Sequence, residues 1–91
     1  MENLKVIFRK DKDGEIIAFF PEASANFGNI LSYMHIGQHG EASLEFYQET
    51  KKATETEYKP LLMELKSIYD DYNLIVKQKM NYKDLRKAWK I

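Results

Sequence analysis

The chain has 91 residues, 44% of them hydrophobic and 13% aromatic, with 14 basic and 14 acidic residues. A domain of this size buries little more than about 60% of its unfolded surface, so its core is thin. The absence of cysteine excludes disulfides and limits any metal site to nitrogen and oxygen ligands. The zero net charge removes any argument for nucleic-acid binding from overall charge.

The first predicted element is a β-hairpin. Residues 4–10 alternate with a period of two and are rich in β-branched and aromatic side chains, which predicts a strand. Asp13-Gly14 is a strong hairpin signal because glycine accepts a positive φ. Residues 15–20 form the returning strand, which Pro21 ends because it cannot donate to a ladder. This strand is apolar on both faces, so we expect it to be central in the sheet.

A third strand is predicted from Ile30 to Gly37. Its alternation places Tyr33 and His35 on the face opposite to Met34. Three consecutive strands with short connections make an antiparallel meander. Residues 37–42 are expected to break the strand.

Two helices are predicted next. Ser43 can cap a short helix through about Thr50. Thr54 and Glu57 match a capping box, which predicts that the main helix runs from about Glu55 to Asp71. Its apolar residues recur at three- and four-residue spacing. They are Tyr58, Leu61, Leu62, Leu65, Ile68, Tyr69 and Tyr72.

The C-terminal part predicts a fourth strand over residues 74–80 and a last helix that Asn81 caps. Tyr82, Leu85 and Trp89 form the apolar stripe of that helix. Residues 1–91 are therefore predicted to form a single α+β domain with a small, mainly antiparallel sheet. The sheet is a three-stranded meander plus a fourth strand, with one main helix packed on one face. The short C-terminal helix, residues 81–91, is either peripheral or packed on the domain.

No apolar run approaches the about 18 residues that span a membrane, and the N-terminus lacks a signal-peptide core. A cytoplasmic location is therefore expected. Several short motifs are distinctive. They are Gly14 to Pro21, Ser32-Tyr33, His35, Gly37 to Gly40, Ala42-Ser43, Ala53-Thr54, Glu57-Tyr58 and Tyr72-Asn73-Leu74.

Together these motifs resemble a family of short, uncharacterised proteins encoded on bacterial mobile elements, both conjugative transposons and phages. The resemblance covers about Val6 to Val76, and the Gly37 to Gly40 patch is its most specific part. It implies a cytoplasmic protein of bacterial or phage origin. The family supplies no activity, cofactor or catalytic residue to transfer to this chain.

Catalytic and metal sites are not predicted. His35 and His39 would lie about 13 Å apart along a strand, too far to share a zinc ion unless the chain bends at Gly37. No serine has the context of a nucleophile elbow, and Gly37 to Gly40 lacks the spacing and lysine of a phosphate-binding loop. We expect a protein that is not an enzyme and that has no cofactor.

The residues predicted to bind are Tyr33, His35, Gln38 and His39, as contact residues rather than catalysts. A sheet with one helix packed on one face has a second face and two edges. These remain exposed to solvent, pair with another strand or bind a partner. Ile7, Ile17 and Phe19 together with Tyr33 would make that second face partly apolar. The predicted function is that of a non-enzymatic accessory protein of a mobile element, acting by interaction with another protein or with itself as a homodimer.

The alternative is a nucleic-acid-binding module. Tyr33 and His35 would stack on bases, with Lys5 and Arg9 nearby. In the competing interpretation, the C-terminal helix covers this aromatic face, with Tyr82 and Trp89 packed onto it. The basic C-terminal segment would supply phosphate contacts. Its residues are Lys77, Lys79, Lys83, Arg86, Lys87 and Lys90.

Overall fold

A mainly antiparallel sheet organises residues 1–34 and 38–91, the part of the chain that the computed structural model describes; the side chain of Gln38 lies outside that description. Strands and helices follow in the order β1 (Glu2–Lys10), β2 (Ile16–Phe20), β3 (Asn29–Met34), β4 (Gln38–Ser43), α1 (Leu44–Glu49), β5 (Lys51–Lys52), α2 (Glu55–Ile68), β6 (Tyr72–Lys77) and α3 (Tyr82–Ala88). The predicted α+β class, with a main helix and a short C-terminal helix, is confirmed.

The sheet order is β4-β3-β2-β1, and two further strands share the far side of β1. The first six residues of β1 pair with β6 in parallel, whereas Arg9 and Lys10 pair with β5 in antiparallel fashion. β1 has room for both because it is nine residues long. β2 lies between β1 and β3, as its apolar faces predicted.

The turn between β1 and β2 follows from local chemistry. The Asp11 carboxylate accepts hydrogen bonds from the backbone N–H groups of Asp13 and Glu15, both at 2.9 Å. Gly14 adopts a φ of 86°, a conformation that a side chain would disfavour. The predicted hairpin is therefore confirmed, and residues 11–15 account for it without help from distant parts of the chain.

The two faces of the sheet carry separate apolar cores. α2 covers the first face, and α1 and α3 cover the second. The buried residues of the first core are Val6, Phe8, Ala18, Phe20, Tyr33, Ala53, Leu61 and Leu65. Those of the second core are Ile7, Ile17, Phe19, Ile30, Tyr47 and Leu85.

The prediction that Tyr33 shares a face with Ile7, Ile17 and Phe19 is wrong. The register aligns Tyr33 with Ala18, and Ala18 with Phe8, across three neighbouring strands. Residues that stand opposite one another in a ladder point to the same face, so Tyr33 lies under α2. The second face is not partly open, because α1 and α3 cover it.

The starts of α1 and α2 match the sequence. The Ser43 hydroxyl accepts a hydrogen bond from the N–H of Phe46 at 3.0 Å. Thr54 and Glu57 form the predicted capping box. α2 ends at Ile68, three residues earlier than predicted, with Tyr69 as its C-cap.

Two parts of the chain differ most from the predicted strands. Residues 38–43 form β4 and pair with the whole of β3, although residues 37–42 were expected to break the strand. Cross-strand bonding with β3 outweighs the low intrinsic strand preference of Gly40. β6 begins at Tyr72 and ends at Lys77, whereas the predicted fourth strand ran over residues 74–80.

α3 packs on its own domain. Leu85 and Ala88 are buried, and the Asp84 carboxylate forms an ion pair of 3.1 Å with Lys5 on β1. The Trp89 indole donates a hydrogen bond to the Asn29 carbonyl at 2.7 Å. Tyr82, predicted as part of the apolar stripe, is instead exposed. Within the described ranges, none of the helices has the length and apolar character needed to span a membrane.

Glu57 links the start of α2 to β1. Its carboxylate accepts a hydrogen bond from the Lys10 ammonium at 2.5 Å and another from the backbone N–H of Thr54 at 2.9 Å. The bond from Lys10, followed by that from Thr54, lowers the pKa of Glu57 from 4.5 to about 2. A carboxyl whose pKa is lower in the folded state stabilises the fold above its unfolded pKa.

We therefore expect Glu57 to contribute stability above about pH 4.5 and to lose that contribution as the pH falls towards about 2. Glu57→Gln removes the charge but keeps an oxygen that can accept from Thr54. Its melting temperature should fall less between about pH 5 and pH 2.5 than that of the wild type, measured by circular dichroism. Glu55→Gln, an exposed carboxyl in the same turn, is the control and should behave like the wild type. Identical acid profiles for Glu57→Gln and wild type would contradict the expectation.

Candidate functional site

β4 forms a free edge of the sheet. It pairs with β3 on one side and with no other strand of residues 1–34 and 38–91. His39, Gly40 and Glu41 are exposed along it. An edge strand presents unpaired backbone N–H and C=O groups that can bond to another chain.

The register shows which backbone groups face outwards. The N–H of Leu44, directly after β4, donates to the carbonyl of Gly28 at 2.9 Å, which continues the β3–β4 register. Opposed residues in an antiparallel pair alternate between bonded and non-bonded pairs, so the even-numbered residues of β4 bond to β3. The Ser32 hydroxyl accordingly donates to the carbonyl of Gly40 at 3.1 Å. The N–H and C=O groups of His39 and Glu41 therefore point to the free edge.

His39 is held on the first face of the sheet by two tyrosines. Its Nε2 lies 2.7 Å from the Tyr69 hydroxyl. Its ring packs edge-on against Tyr33, with 4.6 Å between the ring centroids, and against Tyr69 at 5.9 Å. Burial, followed by the proximity of Tyr72, raises the pKa of the Tyr69 hydroxyl, which stays protonated and can donate to Nε2. Nδ1 then has no hydrogen-bond partner among the described residues.

Glu41 is fixed beside His39 by a single carboxylate oxygen. Its Oε1 accepts hydrogen bonds from the Asn26 backbone N–H and the Asn29 side-chain amide, both at 3.1 Å. The bond from Asn29 and then that from Asn26 lower the pKa of Glu41, so it remains an anion. Both of these bonds end on Oε1, and the Asn26 side-chain amide lowers the pKa of Glu41 as well. The edge thus carries one oriented carboxylate.

An aromatic surface continues from His39 to a cleft. Tyr69 contacts Tyr72 with ring centroids 5.8 Å apart and an interplanar angle of 75°. The cleft beside them has a volume of about 360 Å³. Its lining residues are Glu2, Asn3, Leu4, Phe20, Glu22, Ala23, Leu31, Tyr69 and Tyr72.

The predicted binding residues have different surroundings. Tyr33 is only 1% exposed, and its hydroxyl donates a hydrogen bond to Glu64 of α2. Its ring therefore supports His39 from below rather than reaching the surface. His39 is exposed. His35 lies outside the described residues, as does the side chain of Gln38.

Sequence reasoning missed two members of the site, Glu41 and Tyr69. Tyr69 was assigned to the apolar stripe of α2, but it follows the last residue of that helix and faces β4. Glu41 was placed in a strand break. Its position two residues after His39 would have put both side chains on one face, had residues 38–43 been recognised as a strand.

The six basic residues of the C-terminal segment, residues 77–90, are all exposed. Within the described ranges, neither ion pair involves them. Lys83, Arg86 and Lys87 lie on α3, which covers the face opposite to Tyr33, so these three cations and the Tyr33 ring do not form one surface. Arg9, predicted to lie near Tyr33 and His35, donates instead to the Thr50 hydroxyl at 2.9 Å.

No group of three or more His, Asp or Glu side chains in residues 1–34 and 38–91 is arranged to hold a metal ion. Comparison of the chain with protein-family models, with curated proteins and with solved structures finds no match. The resemblance to proteins of mobile elements therefore stays a prediction, and the candidate function depends on the geometry of β4.

Proposed function

We propose that this protein is an interaction module that binds an extended segment of a protein partner along the free edge of β4. The observation that carries the proposal is the row of outward backbone groups on His39 and Glu41 in an exposed edge strand. Strand addition obtains affinity from main-chain hydrogen bonds and specificity from alternate side chains. His39, Tyr69 and Tyr72 supply an aromatic surface beside the edge, and aromatic residues are enriched at interfaces.

The opposite side of the sheet is less suited to strand addition. β5 and β6 divide the length of β1 between them, so no single strand forms that edge. Lys51, Lys52 and Lys77 lie there, and lysine on an edge discourages pairing. β4 has six residues, and it carries no lysine.

The biological setting of the proposal rests on the motif resemblance described above. In that setting the protein is a cytoplasmic, non-enzymatic accessory protein of a bacterial mobile element. The structure supports the class of interaction that we propose. Both faces of the sheet are covered by helices, which leaves the edge as the place where backbone groups can bond to a partner.

Replacing Glu41 by proline tests the edge. The N–H of Glu41 points outwards, so Glu41→Pro removes a donor to the partner and leaves the bonds to β3 in place. Glu41→Ala is the matched control, because it loses the same carboxylate but keeps the N–H. We expect Glu41→Pro to recover about tenfold less partner than Glu41→Ala. The lost hydrogen bond and the bulk of the proline ring both oppose the pairing of β4 with a partner strand.

The measurement is a tagged pull-down from nuclease-treated lysate of the native host, quantified by mass spectrometry. Melting curves of both variants verify that each is folded. A protein that wild type and Glu41→Ala retain and Glu41→Pro loses supports strand addition at β4. Equal recovery of the same proteins by all three baits would overturn the proposal.

Nucleic-acid binding is the second candidate, favoured by the exposure of all six basic side chains in residues 77–90. Anisotropy of labelled single-stranded DNA tests it at low and moderate salt. Binding through phosphates would weaken steeply as salt rises and would be reduced by Lys83→Gln/Lys87→Gln. Affinity that does not change with salt would exclude this mode.

A further inference from the structure

We infer that the partner at this edge is a second copy of the same chain, which pairs β4 with β4 in antiparallel orientation and places Gly40 on the two-fold axis. The inference rests on the proposed function of β4 and specifies its partner. Its basis is the complementarity of β4 with itself.

The outward backbone groups restrict the possible registers. In a bonded pair of an antiparallel ladder, the two opposed residues exchange both hydrogen bonds. His39 and Glu41 carry the outward groups, so each must oppose an outward residue of the second copy. With Gly40 on the axis, His39 of one copy opposes Glu41 of the other, and the contact occurs twice.

The side chains favour this register over its neighbours. His39 Nδ1 has no hydrogen-bond partner among the described residues, and in this pairing it lies on the same face as the Glu41 carboxylate of the other copy. An axis at His39 would oppose two imidazoles, and an axis at Glu41 would oppose two carboxylates. Nδ1 carries the ring proton when Nε2 accepts from Tyr69, so it can donate a hydrogen bond to an opposed carboxylate. Two opposed carboxylates would repel each other, and two opposed Nδ1–H groups would find no acceptor.

Gly40 suits the axis. Opposed residues of a non-bonded pair bring their Cα atoms to about 4.5 Å, so two glycines let the strands approach without any side-chain contact at the axis. Within the chain, a Cβ at Gly40 would meet nothing within 4 Å, and its φ lies outside the left-handed region. The structure of one copy therefore does not itself require glycine at this position.

The rest of the fold leaves room for the second copy. The axis is perpendicular to the sheet, so both α2 helices lie on the same side. α2 packs over β2, and five strand spacings separate the two β2 strands, a distance of about 24 Å. One strand pair is a small interface, below the about 1,200 Å² of standard complexes, so we expect a dissociation constant of about micromolar or weaker.

Sedimentation equilibrium of the purified chain over about 1–500 μM measures the association. His39→Glu opposes two carboxylates at each contact, and His39→Lys/Glu41→Lys opposes two lysines. Each variant alone is expected to associate at least about tenfold more weakly than the wild type. An equimolar mixture of the two should dimerise like the wild type, because every contact then joins a carboxylate to a lysine.

A second pair of variants covers the case in which the lysine variant does not fold. Gly40→Asp places two carboxylates at the axis, whereas Gly40→Asn places neutral groups of the same shape there. Both fit the open space around Gly40, and weaker association of Gly40→Asp than of Gly40→Asn supports the axis. Equal association of these two variants would contradict it.

The outcomes separate this inference from the proposed function. A wild type that stays monomeric at every concentration overturns the second-copy inference, and the proposed function still stands if Glu41→Pro loses a lysate partner that Glu41→Ala retains. A dimer that Glu41→Pro leaves intact lies elsewhere on the molecule and overturns the inference. A dimer without recovery in the variant mixture overturns the register with Gly40 on the axis.

Discussion

Phe19→Ala is expected to lower the free energy of unfolding by about 3–5 kcal/mol. Phe19 is 0% exposed in β2, between β1 and β3. Its ring meets Tyr47 of α1 edge-on, with centroids 5.0 Å apart and an interplanar angle of 89°. The substitution therefore removes a ring from the core between the sheet, α1 and α3, and the surrounding residues can refill that space only in part.

Urea unfolding followed by circular dichroism measures this loss. Phe27→Ala is the matched control, because it deletes the same ring from a side chain that is 73% exposed. We expect it to cost less than about 1 kcal/mol. A domain of this size is stabilised by about 5–15 kcal/mol in total. Phe19→Ala should therefore lower the urea midpoint of unfolding far more than Phe27→Ala does. Equal midpoints for the two variants would show that the second face is open.

The second large effect is expected at Leu85 of α3. Leu85 is 1% exposed and belongs to the same core as Ile7 and Phe19. Leu85→Ala should lower the free energy of unfolding by about 2–5 kcal/mol, from the lost apolar transfer energy and the cavity left behind. The size of the loss decides whether the C-terminal helix is part of the folded unit or peripheral to it.

Tyr82→Ala provides the comparison on the same helix. Tyr82 is 52% exposed, so its truncation should cost less than about 1 kcal/mol in the same urea experiment. If Leu85→Ala were as mild as Tyr82→Ala, α3 would not be packed as described. The two substitutions also test the predicted apolar stripe of Tyr82, Leu85 and Trp89. In the structure Tyr82 is exposed and does not belong to that stripe.

The coverage of both faces explains why the candidate site lies at an edge. A sheet with one open apolar face would offer that face to a partner, as the sequence suggested. Here α1 and α3 cover it, and Lys5 and Arg9 are engaged with Asp84 and Thr50 rather than with a ligand. Among the described residues, the outward backbone groups of β4 remain as a row of donors and acceptors that can bond to a partner.

Elements whose causes are local could be predicted from the sequence. The Asp11–Gly14 turn, the Ser43 cap and the capping box of Thr54 and Glu57 each depend on residues within four positions of one another. The amphipathic stripe of α2 is likewise a short-range pattern. The sequence alone therefore established the hairpin, the main helix and the α+β class.

The candidate site was only half predictable. His39 stood out because both histidines and two glycines cluster in one short stretch. Its partner Tyr69 lies 30 positions away, and only the packing of α2 against the sheet brings the two together. Glu41 was hidden because Gly37 and Gly40, which precede it, disfavour a strand when local preference is considered alone.

Tertiary structure decided the rest. Which face Tyr33 occupies depends on the register between β2 and β3, and a shift of one residue would reverse it. The parallel pairing of β6 with β1 joins residues about 70 positions apart, and the docking of α3 joins Lys5 to Asp84 across 79. Such contacts are fixed by the burial of one common core, which no local window of sequence contains. The sequence by itself determined the elements, and long-range pairing determined the faces, the free edge and the site.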